Sequence, residues 1–244
     1  MIRHRLSNWG DWDAVHLVDA EYTARSTKAT ASLVDRGLNA LLLFAPESHY
    51  WICGYDTFDF ATFQCLILGA DGRLNLLTQA PDLRQAQKTS TLSDAQIHIW
   101  RAVEGVAPAA SLAVLVAKLG YHGKIATETQ TVGLTFANGQ SVISAFDQPL
   151  HICDGIISEL RQDKSLAELD MHRRAAALSD DALVAALQGT RAGAFECNIL
   201  ADMQGRCFAV AVTMRSMSLS LAQTNARCSA ATPRGGGIWT SEIS

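Results

Sequence analysis

Four apolar residues in succession, Leu41 to Phe44, run into a Pro-Glu-Ser turn and then into a dense aromatic patch. The patch holds His49, Tyr50, Trp51, Tyr55, Phe58 and Phe60. A short continuous apolar run bounded by turn residues is the pattern of a buried strand. The aromatics gather around Gly54 and Asp56, where a turn is expected. Aromatics around a turn either plug a core or are displayed to a ligand, and the difference bears directly on function.

The first ~160 residues alternate helix-like and strand-like patterns. Glu21 to Arg36 reads as a helix with Tyr22, Ala29, Leu33 and Val34 on its inner face and Gly37 as its stop. Leu38 to Phe44 reads as the buried strand. Phe63–Leu68 and Leu74–Thr78 flank Asp71-Gly72, a hairpin signal. Pro81 to Lys88 suits a short helix with Pro near its start. Ile97–Trp100 reads as a strand, Ala109–Leu119 as a helix, Lys124–Thr127 as a strand and Val132–Gly139 as a short helix. Ile152 and Cys153 form a last extended piece. The expected fold class is α/β, a mixed β-sheet flanked by helices, over residues 1–160.

A second pattern starts near Asp154. Gly155–Leu160 reads as a short helix, and Ser165 with Glu168 three residues on makes a capping box for a longer, Ala-rich one. Ala175, Leu178, Ala182 and Ala186 lie at helical spacing within it. Phe195–Gln204 reads as a further helix. From Arg206 to Ser244 the only acid is Glu242 and there is no lysine. Beyond weak alternation from Val210 to Leu221 this segment has no core-forming period, so residues 206–244 are expected to form a disordered tail.

Composition excludes several classes. A net charge of −4 gives no global attraction to nucleic acid or to an anionic membrane. The apolar runs are far shorter than the roughly 20 residues of a membrane span. The N-terminal segment lacks the apolar core of a secretory signal. Six scattered cysteines without a CxxC pair suit reduced thiols, so the expected location is cytoplasmic. No pair of the seven histidines has HxH or HxxxH spacing, so no metal site is expected. Ser48 beside His49 suggests a nucleophile and base, but neighbours on a strand point to opposite faces. Glu47, Asp56 and Asp59 suit turn-capping and rim positions. No catalytic residue is assigned.

The segments FAPESHYWICGYDTF and DKSLAELDMHRRAAALSDDAL and the Phe195–Gly205 helix together resemble the creatinase/prolidase/aminopeptidase P group of "pita-bread" metallohydrolases. Lys164, Ser165 and Glu168 are similar to the start of that group's catalytic domain. The HYWICGYDTF block is closer to ectoine hydrolase- and creatinase-like members than to typical prolidases. The resemblance implies an N-terminal α/β domain over 1–160, followed over 161–205 by the first helices of an incomplete α+β catalytic domain. It implies hydrolysis of a C–N bond in an ectoine-like compound or an Xaa-Pro dipeptide. The parent enzymes often use a divalent metal (Mn, Zn or Co) and form homodimers. In such dimers the loop after Gly54 leans over the neighbouring active site, so Tyr55, Phe58 and Phe60 are the candidate substrate contacts in trans. The family's usual continuation is not recognisable after Gly205. A neighbouring reading frame of that segment can spell a string similar to it, so truncation or a frameshift is expected there. The chain alone is therefore expected to be inactive, the alternative being a non-catalytic dimerisation or small-ligand or peptide-binding module.

Overall fold

The computed structural model describes residues 17–57, 62–101 and 107–208. The chain divides into two compact units, Met1–Asp163 and Lys164–Ser244.

In the first unit, α1 (Asp19–Asp35) precedes β1 (Ala40–Leu43) and α2 (Pro46–Cys53). The hairpin β2 (Cys65–Gly69) and β3 (Leu74–Gln79) follows, then a 3-10 turn at Ala80–Asp82 and α3 (Leu83–Thr89). Next come β4 (Ile97–Trp100), α4 (Pro108–Lys118), β5 (Ile125–Thr127), α5 (Phe136–Ala145), β6 (His151–Ile152) and α6 (Ile156–Leu160). The strands form one six-stranded mixed sheet in the order β4-β3-β2-β1-β5-β6. β1 pairs antiparallel with β2 and parallel with β5, which places it centrally and explains its apolar run.

Alternation along β1 assigns its side chains to two cores. Leu41 and Leu43 join Leu33, Trp51, Leu66, Leu76 and Ile156 on one face. Leu42 and Phe44 join Ile67, Leu77, Leu112, Val116 and Val142 on the other. The α/β expectation holds, and the hairpin and β4 lie where the residues predict them.

Three expectations change. The Pro-Glu-Ser "turn" is the first turn of α2, with Pro at its N-terminus, where its missing N–H costs nothing. Val34 is exposed; the buried face of α1 is Tyr22, Arg25, Ala29 and Leu33, one helical stripe that Val34 falls outside. The helix expected over Val132–Gly139 begins instead at Phe136, where the Thr135 side chain accepts from the Asn138 N–H, and runs to Ala145.

In the second unit, α7 (Leu166–Gly189) carries the expected capping box. The Ser165 hydroxyl accepts from the Glu168 N–H, and Glu168 accepts from the Ser165 N–H at 2.8 Å. α8 (Glu196–Phe208) extends past the expected Gln204. Ala182 and Ala185 of α7 are buried, but Ala175 is exposed, and so are Leu183, Val184 and Leu187. Among the described residues no helix is long and apolar enough to cross a membrane.

Candidate functional site

The aromatic segment is built on α2. Its N-cap, Ala45, has no side-chain acceptor to offer the first helical N–H groups. Glu128, just past β5, supplies one from 84 residues away. One carboxylate oxygen accepts from the N–H groups of Phe44 and Ala45, each at 3.1 Å. The other accepts from the Ser48 hydroxyl at 2.7 Å. Glu128 is buried, and burial raises its pKa above the ordinary value against the opposing pull of Ser48 and the two backbone donors. Gly133 lies close by; a Cβ there would stand 2.1 Å from the Phe44 carbonyl oxygen, so only glycine fits.

Ser48 and His49 are thus neighbours on a helix, not on a strand. They do not form a nucleophile and base: Ser48 donates to Glu128, and His49 Nε2 lies 2.8 Å from the Leu43 carbonyl oxygen. Both side chains are buried. Arg25 buttresses α2 from α1, its guanidinium over the rings of Tyr22 and Trp51 and 3.3 Å from the Trp51 carbonyl oxygen. Gly54 ends α2 in the left-handed conformation, φ 76°, and turns the chain into the next segment.

That segment stands on a buried polar footing. Gln64 Nε2 donates to Thr57 Oγ1 at 2.9 Å and lies 3.4 Å from Asp82 Oδ2. Thr78 Oγ1 donates to the same Asp82 oxygen at 3.3 Å. Thr57, Gln64, Thr78 and Asp82 are all buried. The network ties the residues before and after positions 58–61 to the end of β3 and the 3-10 turn beyond it. Buried hydrogen bonds of this kind hold a backbone in one arrangement.

Of the three aromatics singled out from the sequence, Tyr55 is enclosed at 0% exposure and stacks on His49 with ring centroids 6.0 Å apart. Burial pushes its phenol up to about 12. In this conformation its ring offers no surface to a ligand. Phe58 and Phe60, with Asp59, lie outside the described residues. Trp51, Phe63, Cys53 and Cys65 fill core space. The sequence reading missed Glu128, whose partners Phe44 and Ser48 lie 84 and 80 residues away, and Gln64 and Asp82, which meet across 18 residues.

Among the described residues no group of three or more His, Cys, Asp or Glu side chains converges in a way that could hold a metal ion. The buried carboxylates Glu128 and Asp82 are occupied by protein donors. The described residues therefore do not fit a divalent metal.

Comparison with known proteins places this architecture. The Creatinase/Prolidase N-terminal domain model matches residues 25–162. Ectoine hydrolase from Halomonas elongata is 35% identical over 52 residues, covering 21% of this chain and 13% of that protein. An Xaa-Pro dipeptidase from Bacillus anthracis shares the fold at TM-score 0.60 and 19% identity, over 76% of this chain and 48% of that one. An X-Pro aminopeptidase from Thermotoga maritima does so at TM-score 0.62 and 19% identity, over 76% and 49%. The chain thus spans about half the length of these solved proteins and a smaller part of the ectoine hydrolase. With more than half of its residues matched by the family model on a six-stranded mixed sheet, the chain belongs to the creatinase/prolidase N-terminal domain family.

Proposed function

We propose that this chain is the N-terminal lobe of a hydrolase that cleaves a C–N bond in a small substrate, an ectoine-like compound or an Xaa-Pro dipeptide. The family match over residues 25–162 carries the reading, and the stretch shared with an ectoine hydrolase favours the first substrate. In this reading residues 161–205 are the opening helices of the catalytic domain. Any metal and its ligands belong to parts of the parent enzyme other than the described residues. The lobe contributes shape: α2 and the network of Thr57, Gln64, Thr78 and Asp82 support a surface that serves the active site of a partner subunit in a homodimer.

The chain alone is inactive on this view. Incubated with Xaa-Pro dipeptides and with ectoine in the presence of Mn²⁺ or Zn²⁺, it should show no turnover, and robust hydrolysis would overturn the claim. The coding DNA around Gly205 supplies the positive test. If a neighbouring frame encodes the family's continuation, the restored-frame protein should hydrolyse one of the two substrates; failure against both removes the proposed substrate class.

A second reading, a non-catalytic dimerisation or small-ligand or peptide-binding module, is favoured by Leu183, Val184 and Leu187, which stand exposed on α7. Exposed apolar groups gathered on one element favour association. Light scattering separates the two: a clean, soluble, ligand-binding species supports the module, aggregation the enzyme fragment.

A further inference from the structure

Among the described residues the sheet ends at β4. Among the described residues β4 pairs with β3 and has no strand on its other side. An edge strand presents a row of N–H and C=O groups available to another chain. Here the edge adjoins a cleft of about 370 Å³ between the sheet and α4. Leu77 and His98, partners in the β3–β4 register, form its floor, and Ser111, Val114 and Lys118 of α4 form its wall. His98 is held in place by Asn75, 3.0 Å from its Nε2. Val114 is 69% exposed although its side of α4 borders the cleft. The side chains of a strand added beside β4 would alternate, and those on the α4 side would enter this cleft.

Charge decides what fits. Lys118 lines the cleft, Arg101 follows β4 directly, and both are exposed. Among the described residues no carboxylate lines the cleft. A second copy would bring the same described lining set, with no carboxylate to meet Lys118, whereas an acidic strand would neutralise the cations. We propose that the β4 edge and its cleft receive an extended acidic segment of another protein. Its main chain pairs with Ile97–Trp100, an apolar side chain rests on Leu77 and Val114, and a carboxylate meets Lys118. Main-chain pairing supplies the affinity and the cleft supplies the selection. The proposal rests on the sheet edge and stands or falls apart from the hydrolase reading.

The test uses the full chain and a fluorescein-labelled peptide, Thr-Val-Thr-Glu-Thr-Val, which places Val, Glu and Val on one face of a strand. Fluorescence anisotropy should show saturable binding that weakens as NaCl rises from about 50 to about 300 mM. The Glu-to-Lys peptide should bind at least about tenfold more weakly. Two further peptides carry N-methyl groups on the Thr amides or on the Val and Glu amides. At least one should lose binding, because an edge-paired strand uses the N–H groups of alternate residues. Lys118→Glu and Val114→Glu change exposed side chains only, and each should weaken binding about tenfold with an unchanged circular dichroism spectrum. The proposal fails if both methylated peptides bind like the parent, if neither substitution matters, or if no saturation is reached by about 1 mM peptide. A concentration-dependent dimer broken by the same substitutions would assign the edge to a second copy and equally overturn it.

Discussion

Replacing Glu128 tests whether one buried carboxylate organises the aromatic segment. It accepts from the N–H groups of Phe44 and Ala45 and from the Ser48 hydroxyl. Glu128→Ala strands three donors at once, two buried and one partly buried. At about 1–3 kcal/mol for each unsatisfied group, partly relieved by water entering the space left behind, the loss should be about 3–5 kcal/mol. Glu128→Gln keeps the shape. Its carbonyl oxygen can serve the two backbone donors, and its amide can donate to a rotated Ser48 hydroxyl, so the cost should be about 1 kcal/mol.

The pH dependence is sharper still. Burial raises the Glu128 pKa in the folded state, so the folded chain holds that proton more tightly than the unfolded chain does. The resulting stabilisation is fully present below the ordinary carboxylate pKa of about 4.3 and disappears as pH climbs through the raised folded value. Glutamine has no such proton. Wild type should therefore lose stability relative to Glu128→Gln between acid and neutral pH. Guanidinium unfolding followed by tryptophan fluorescence reports both quantities, since Trp51 and Trp100 are core residues. The reasoning is refuted if Glu128→Ala costs no more than Glu128→Gln, or if the difference between wild type and Gln runs the other way with pH.

Other consequences are simpler to check. Gly54→Ala should cost about 1–2 kcal/mol in the same unfolding experiment, because φ is 76° and a Cβ would lie 3.0 Å from the Thr89 carbonyl oxygen and the Tyr22 ring. Ser165→Ala should remove about 1 kcal/mol from α7 and speed hydrogen exchange in its first turn without affecting the sheet. Burial pushes the Cys53 thiol up to about 12, so iodoacetamide at neutral pH should label exposed Cys197 and spare Cys53 until the chain is unfolded, as read by peptide mass mapping.

Elements whose signals are local were legible. The hairpin at Asp71-Gly72, the Ile97–Trp100 strand and the Ser165/Glu168 box each carry their own turn, period or cap within a few residues. α2 was not, because Pro46 reads as a turn when no cap precedes it, and its acceptor, Glu128, lies far along the chain. The footing of Thr57, Gln64, Thr78 and Asp82 was hidden for the same reason: three elements must come together before its hydrogen bonds exist. Tyr55 was singled out as a displayed aromatic because a residue following Gly54 suggests a loop tip. Its burial depends on the approach of His49, set by a helix that was not foreseen.

The place of β1 also imposes an order of assembly. Its antiparallel neighbour β2 follows soon in the chain, whereas its parallel neighbour β5 and the Glu128 acceptor are not synthesised until some 84 residues after Phe44. A nascent chain can therefore build the β1–β4 half of the sheet early. It must leave one side of its most apolar strand unpaired, and α2 without its remote acceptor, until β5 clears the ribosome. Non-local parallel pairing closes slowly. During that interval Leu41–Phe44 is the segment of the newborn lobe most in need of protection from other chains.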